Sequence, residues 1–82
     1  MKITIKELLN LVEEGKSFSV YGFKGYTYLN ITIIGNKYTY RYTDDKDFTI
    51  LKEFDDYNLL YYTCLNLFND IQFNKSTLDI WE

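Results

Sequence analysis

The sequence predicts a single α+β domain over residues 1–82. Its expected parts are an N-terminal helix, a three-stranded antiparallel β-meander with room for a fourth strand, a long C-terminal helix and a short tail. Three observations predict it: a helix-capping pattern at Thr4 and Glu7, two short turns that agree on one apolar sheet face, and a return to helical periodicity after Asp56.

Thr4 and Glu7 have the spacing of a capping box, in which each side chain satisfies a free backbone N–H of the first turn. Ile3 and Leu8 occupy the positions of a hydrophobic staple. Ile5, Leu8, Leu9 and Val12 share a face, and Gly15 is a natural stop, so the first helix spans about residues 5–14.

Residues 17–43 are rich in β-branched and aromatic side chains and are punctuated at Lys24-Gly25 and Gly35-Asn36. A two-residue turn fixes register. Around Gly35-Asn36, Ile33 faces Tyr38, Ile31 faces Tyr40 and Leu29 faces Tyr42; around Lys24-Gly25, Val20 faces Leu29 and Phe18 faces Ile31. All of these fall on one face. The opposite face carries Tyr21, Phe23, Tyr26 and Tyr28 at one end, with Asn30, Arg41, Thr32, Thr39 and Lys37 beyond them.

Asp44 to Asp47 read as a loop, and Phe48 to Phe54 fit either an edge strand or a helical turn. Asp55 or Asp56 can cap a helix running to about Gln72, with Tyr57, Leu60, Cys64, Leu67, Phe68 and Ile71 as its core stripe. Leu59, Tyr62, Leu65 and Phe73 form a second stripe. The tail residues Leu78, Ile80 and Trp81 are expected to fold back over it, or a second copy of the chain to cover it.

Composition narrows the chemistry. Histidine is absent, so the commonest general base and metal ligand are missing, and no enzyme, metal site or cofactor is expected. The lone Cys64 allows no internal disulfide and reads as a buried inert thiol. No apolar run reaches the length of a membrane span, and no leader is visible, so a cytoplasmic protein without membrane contact is expected.

Charge is uneven. Residues 1–43 hold six basic and three acidic groups, whereas residues 44–82 hold three basic and nine acidic ones. Asp44, Asp45, Asp47, Glu53, Asp55 and Asp56 fall within 13 residues. Such a stretch can occupy a basic groove that ordinarily holds nucleic acid, although Asp55 and Asp56 also suit a helix N-terminus with no partner. The alternating ligands of a calcium loop are missing.

Two surfaces are therefore candidates for binding. One is the acidic stretch. The other is the open sheet face, where Tyr21, Tyr26 and Tyr28 can anchor a protein partner, or the same three with Phe23 can stack on single-stranded nucleic acid beside Arg41, Lys24 and Lys37.

A helix at 4–14, three strands over 17–43, an acidic connector at 44–56 and a C-terminal helix resemble the layout of small phage-encoded anti-CRISPR inhibitors. The resemblance implies a non-catalytic protein that blocks a nucleic-acid-handling protein of a bacterial host by covering its basic surface. It lies in architecture and charge, and no residue role carries over. A single-strand-binding module and a homo-oligomeric structural protein, pairing through an edge strand or through the second stripe of the C-terminal helix, are the alternatives.

Overall fold

The computed structural model describes residues 1–82. In chain order they form β1 (Lys2–Thr4), α1 (Ile5–Glu13), β2 (Ser17–Tyr21), β3 (Tyr28–Ile34), β4 (Lys37–Thr43), β5 (Thr49–Phe54), α2 (Tyr57–Phe68), β6 (Gln72–Asn74), a 3₁₀ turn (Lys75–Thr77) and β7 (Leu78–Trp81). Five strands build one antiparallel sheet in the order β5-β4-β3-β2-β7, and β1 pairs with β6 in a separate two-stranded ribbon.

This corrects the expected three-stranded meander. The central three strands keep the register the two turns imply, with Ile31 opposite Tyr40 and Phe18 opposite Ile31. Two further strands flank them. The ambiguous 48–54 segment becomes strand β5 from Thr49 onward, paired residue for residue with β4. The tail does not cover α2; it pairs with β2 as the opposite edge, placing Ile80 beside Phe18 and Leu78 beside Val20. That partnership joins residues some sixty positions apart, so no turn signal announces it.

Local signals explain α1. The Thr4 N–H donates to Glu7 Oε1 at 3.0 Å and the Glu7 N–H donates to Thr4 Oγ1 at 3.3 Å, which completes the capping box. At the other end the Lys16 N–H reaches the Leu11 carbonyl at 3.0 Å and the Gly15 N–H reaches Val12 at 2.9 Å. This Schellman closure needs a left-handed residue, and Gly15 supplies it at φ +93°.

α2 is shorter than expected. It is capped by Asp56, whose carboxylate accepts from the Asn58 N–H at 2.9 Å, and it ends at Phe68 rather than near Gln72. Chain reversal through Asn69 and Asp70 lets Phe73 enter the core from β6, opposite Ile3 of β1. The two expected stripes exchange members as a result: Phe73 is fully buried and Leu67 is 55% exposed.

The core lies between the helices and one face of the large sheet. Phe18, Val20, Leu29, Ile31 and Tyr40 meet Ile5, Leu8, Leu9 and Val12 of α1 and Leu60, Cys64 and Phe68 of α2. Each large apolar side chain buried there contributes about 1.5–3 kcal/mol relative to exposure.

The β2–β3 connection departs from a two-residue turn. Strand pairing stops at Tyr21 and Tyr28, leaving a six-residue loop, residues 22–27. Gly22 takes φ +73°, which carries the chain out of the strand and turns Phe23 inward. The Phe23 ring then lies 4.7 Å from Phe73 and 5.9 Å from Phe68, centroid to centroid. Phe23 therefore belongs to the core margin and not to the open face where its alternation had placed it.

Candidate interaction surface

β2 ends, β3 begins, β4 ends and β5 begins at the same edge of the molecule. That tip gathers Tyr21, Tyr26 and Tyr28 with Asp44, Asp45 and Asp47. Tyr21 and Tyr28 face one another across β2 and β3, and Tyr28 in turn lies opposite Thr43, the last residue before the acidic turn. The two loops touch: a Cβ at Gly25 would lie 3.4 Å from the Asp45 Cβ. Tyr26 is 90% exposed and Tyr21 57% exposed, whereas Tyr28 is half-buried.

The three acids at the tip differ in what they are free to do. Asp44 Oδ1 accepts from the backbone N–H groups of Lys46 and Phe48, both at 2.9 Å, so this carboxylate builds the turn. Asp47 closes it with its N–H on the Asp44 carbonyl at 3.1 Å and adopts φ +66°. Asp45 and Asp47 are exposed, and no hydrogen bond or ion pair engages their carboxylates. Burial raises the Tyr42 hydroxyl above its ordinary range, with the nearby charges of Asp44 and Asp45 adding to the effect.

Glu53, Asp55 and Asp56 are not part of this tip. β5 intervenes, and six extended residues span about 20 Å. Asp56 caps α2, and Asp55 pairs with Lys37 at 3.1 Å. That partner raises the Lys37 pKa through the hydrogen bond first, then through the charges of Asp55 and Glu53. The acidic stretch is thus continuous in sequence and divided in space.

The open face is polar, and several of its side chains bond within the sheet. Asn30 Nδ2 donates to the Phe18 carbonyl at 2.9 Å, Thr32 Oγ1 to Asn30 Oδ1 at 3.0 Å, and the Thr43 and Thr49 hydroxyls meet at 2.9 Å. A shallow open recess lies between β4 and β5, lined by Thr39, Arg41, Leu51, Lys52 and Glu53. With Phe23 turned inward and Lys37 ion-paired, the face offers fewer stacking rings and fewer free cations than the sequence implied.

A second exposed surface joins Leu59 and Tyr62, part of the second stripe expected on α2, to residues that stripe did not include. Ile50 and Leu51 of β5 and Leu59, Tyr62 and Leu67 of α2 are exposed. One signal was present, because Tyr57–Phe68 contains no charged residue.

Cys64 is fully buried, and burial pushes its thiol up to about 12, far from a reactive thiolate. No group of three or more His, Cys, Asp or Glu side chains is arranged to hold a metal ion. No helix is long and apolar enough to cross a membrane. Comparison of the chain with protein-family models, with curated proteins and with solved structures gives no match.

Proposed function

We propose that this chain is a non-catalytic binding protein of a bacterial cytoplasm that inhibits a nucleic-acid-handling protein of its host by covering a basic surface with the tip. The observation that carries this reading is the meeting of two loops, one presenting exposed tyrosines and the other unpaired carboxylates. Tyrosine supplies large, rigid contact area, and the carboxylates of Asp45 and Asp47 steer the approach to arginine or lysine. Lys24 and Lys46 stand beside the three acids in the same loops, so charge selects the partner while Tyr26 and Tyr21 supply most of the affinity.

The test begins with capture of partners by the tagged full chain from nuclease-treated bacterial lysate, followed by binding kinetics with the purified partner. The expected partner binds nucleic acid and releases it when this protein is added. Tyr26→Ala should cost about 2 kcal/mol of binding, roughly 30-fold. Changing Asp45 and Asp47 to Asn should slow association and flatten its salt dependence; Asp44 is left intact because it holds the turn. A partner that keeps its nucleic acid, or an association rate indifferent to both acids and to salt, refutes the reading. Direct binding of single-stranded nucleic acid at low salt, lost in Tyr21→Ala, would replace it with the stacking alternative.

A further inference from the structure

β5 is an open edge. It contains no proline and no bulge, and it pairs with β4 without interruption from Thr49 to Phe54. The Asp44 N–H donates to the Phe48 carbonyl at 2.9 Å, which makes Thr43–Thr49 a pair without mutual hydrogen bonds. By alternation, the N–H and C=O groups of Ile50 and Lys52 are bonded to β4, while those of Thr49, Leu51 and Glu53 point away from the sheet.

A second observation concerns the helix above this edge. α2 packs on β4, β5 and α1, and Tyr57 Oη on its α1 flank donates to the Leu9 carbonyl at 3.0 Å. Leu59, Thr63 and Leu67, spaced at one-turn intervals, lie away from that flank. Because α1 packs over β2 and α2 over β4 and β5, the side of α2 away from α1 faces the β5 edge. Leu59 and Leu67 are 59% and 55% exposed there, and Ile50 of β5 is 38% exposed on the same side of the sheet.

We propose that β5 pairs antiparallel with β5 of a second copy of this chain, joining two five-stranded sheets into one, with a two-fold axis through the paired Leu51 residues. The strand is self-complementary in this register. Leu51 meets Leu51, Thr49 meets Glu53 on both sides of the axis, Ile50 meets Lys52, and Phe48 meets Phe54. Every outward N–H and C=O of Thr49, Leu51 and Glu53 then finds a partner, and within Phe48–Phe54 no like charges stand directly opposite. The next pair outward, Asp47 and Asp55, lies beyond the strand, where Asp47 turns the chain at φ +66° and Lys37 neutralises Asp55. Sliding by two residues in one direction sets Lys52 against itself; sliding in the other leaves only Thr49 and Leu51 hydrogen-bonded across the seam. Lys52 therefore selects the register instead of blocking it.

Because the axis is normal to the sheet, both copies place their helices on the same side. Strands about 4.8 Å apart bring the two α2 helices side by side, near the roughly 8–10 Å spacing of packed helices. Their uncharged flanks meet across the seam. A second copy thus accounts for the open edge and the uncharged helix together. The two tips end up on opposite sides of the seam and stay accessible.

The experiment is sedimentation of the full chain from micromolar to millimolar concentration, combined with residue-resolved amide hydrogen exchange. The expected result is a doubling of mass, with slowing by about tenfold or more at Thr49, Leu51 and Glu53 as the dimer fills, while Ile50 and Lys52 are already slow in the monomer. Leu51 is 59% exposed, so Leu51→Lys should leave the fold intact by circular dichroism and return the protein to monomer. As a second variant, Leu51→Cys should be joined between copies by a short bifunctional maleimide, with Cys64 buried and uninvolved. A monomer at every concentration, a dimer whose Leu51 amide stays fast, protection of that amide only by a different protein, or no cross-link in Leu51→Cys would each overturn the proposal.

Discussion

The hydroxyl of Tyr57 donates to the main-chain carbonyl of Leu9 at 3.0 Å, tying the first turn of α2 to the middle of α1 across 48 residues of sequence. It is the one hydrogen bond from a side chain of one helix to the backbone of the other, in an interface otherwise made by apolar side chains. Removing the hydroxyl while keeping the ring should cost about 1 kcal/mol. For a domain this size that lowers the melting temperature of Tyr57→Phe by roughly 4–8 °C. An unchanged melting curve would show that solvent replaces the bond without penalty.

Tyr40 should respond in the opposite sense. Its ring is 1% exposed and packs edge-on against Phe54 at 6.3 Å, yet its hydroxyl is buried without a hydrogen-bond partner. An unsatisfied buried hydroxyl costs about 1–3 kcal/mol. Tyr40→Phe removes that cost and keeps the ring, so denaturant titration should show a stability equal to or above that of the parent chain. A clear loss would mean that the hydroxyl is bonded in solution.

Alkaline pH should unfold the protein. Burial raises the Tyr57 hydroxyl to about 12 and the Cys64 thiol to about 12, from ordinary values of 10.0 and 9.0, and pushes the Tyr40 hydroxyl upward as well. Each group is neutral when protonated, and each holds its proton more tightly folded than unfolded. Their contribution to stability is therefore complete below about pH 9 and is lost as pH rises through about 12. Equilibrium unfolding at pH 8 and at pH 11 should show this decline, and it should be shallower in Tyr40→Phe. A flat profile across that window would contradict the burial of these groups.

Gly22 tests the loop that turns Phe23 inward. A Cβ there would meet nothing within 4 Å, so space is available, but φ +73° disfavours any L side chain. Gly22→Ala should cost about 1 kcal/mol through backbone strain alone, and Gly22→Asn less, because asparagine tolerates the left-handed region better. If the two variants melt together with the parent, the loop relaxes into another conformation.

Each feature that was legible in the sequence rests on contacts only a few residues long. The Thr4–Glu7 box and the Gly15 closure belong to one helix and its ends, so their spacing alone specifies them. The register of β3 on β4 follows from the Gly35-Asn36 turn, because a short turn leaves alternating side chains no other way to share a face. Cys64 was legible as a core residue from its place on the helical stripe.

The candidate site was only half legible. Tyr21, Tyr26 and Tyr28 were found from their alternation, and the acids from their density. That Asp44, Asp45 and Asp47 join those tyrosines while Glu53, Asp55 and Asp56 do not was decided by β5, whose extended backbone separates the two groups of charges. Charge density along a chain carries no information about distance until the chain direction is known.

Pairing between remote segments was decided by the tertiary structure alone. β7 joins β2, β1 joins β6, and Phe73 leaves the expected helix to fill the core beside Ile3. Segments of three or four residues are too short to show a period of their own, and their strands exist because a partner already ordered by local signals offers unpaired backbone groups. By itself the sequence determined one helix with both its ends, the central register and an apolar face that demands cover. Only the folded chain decided which remote segments supply that cover, and which edge and which flank remain open.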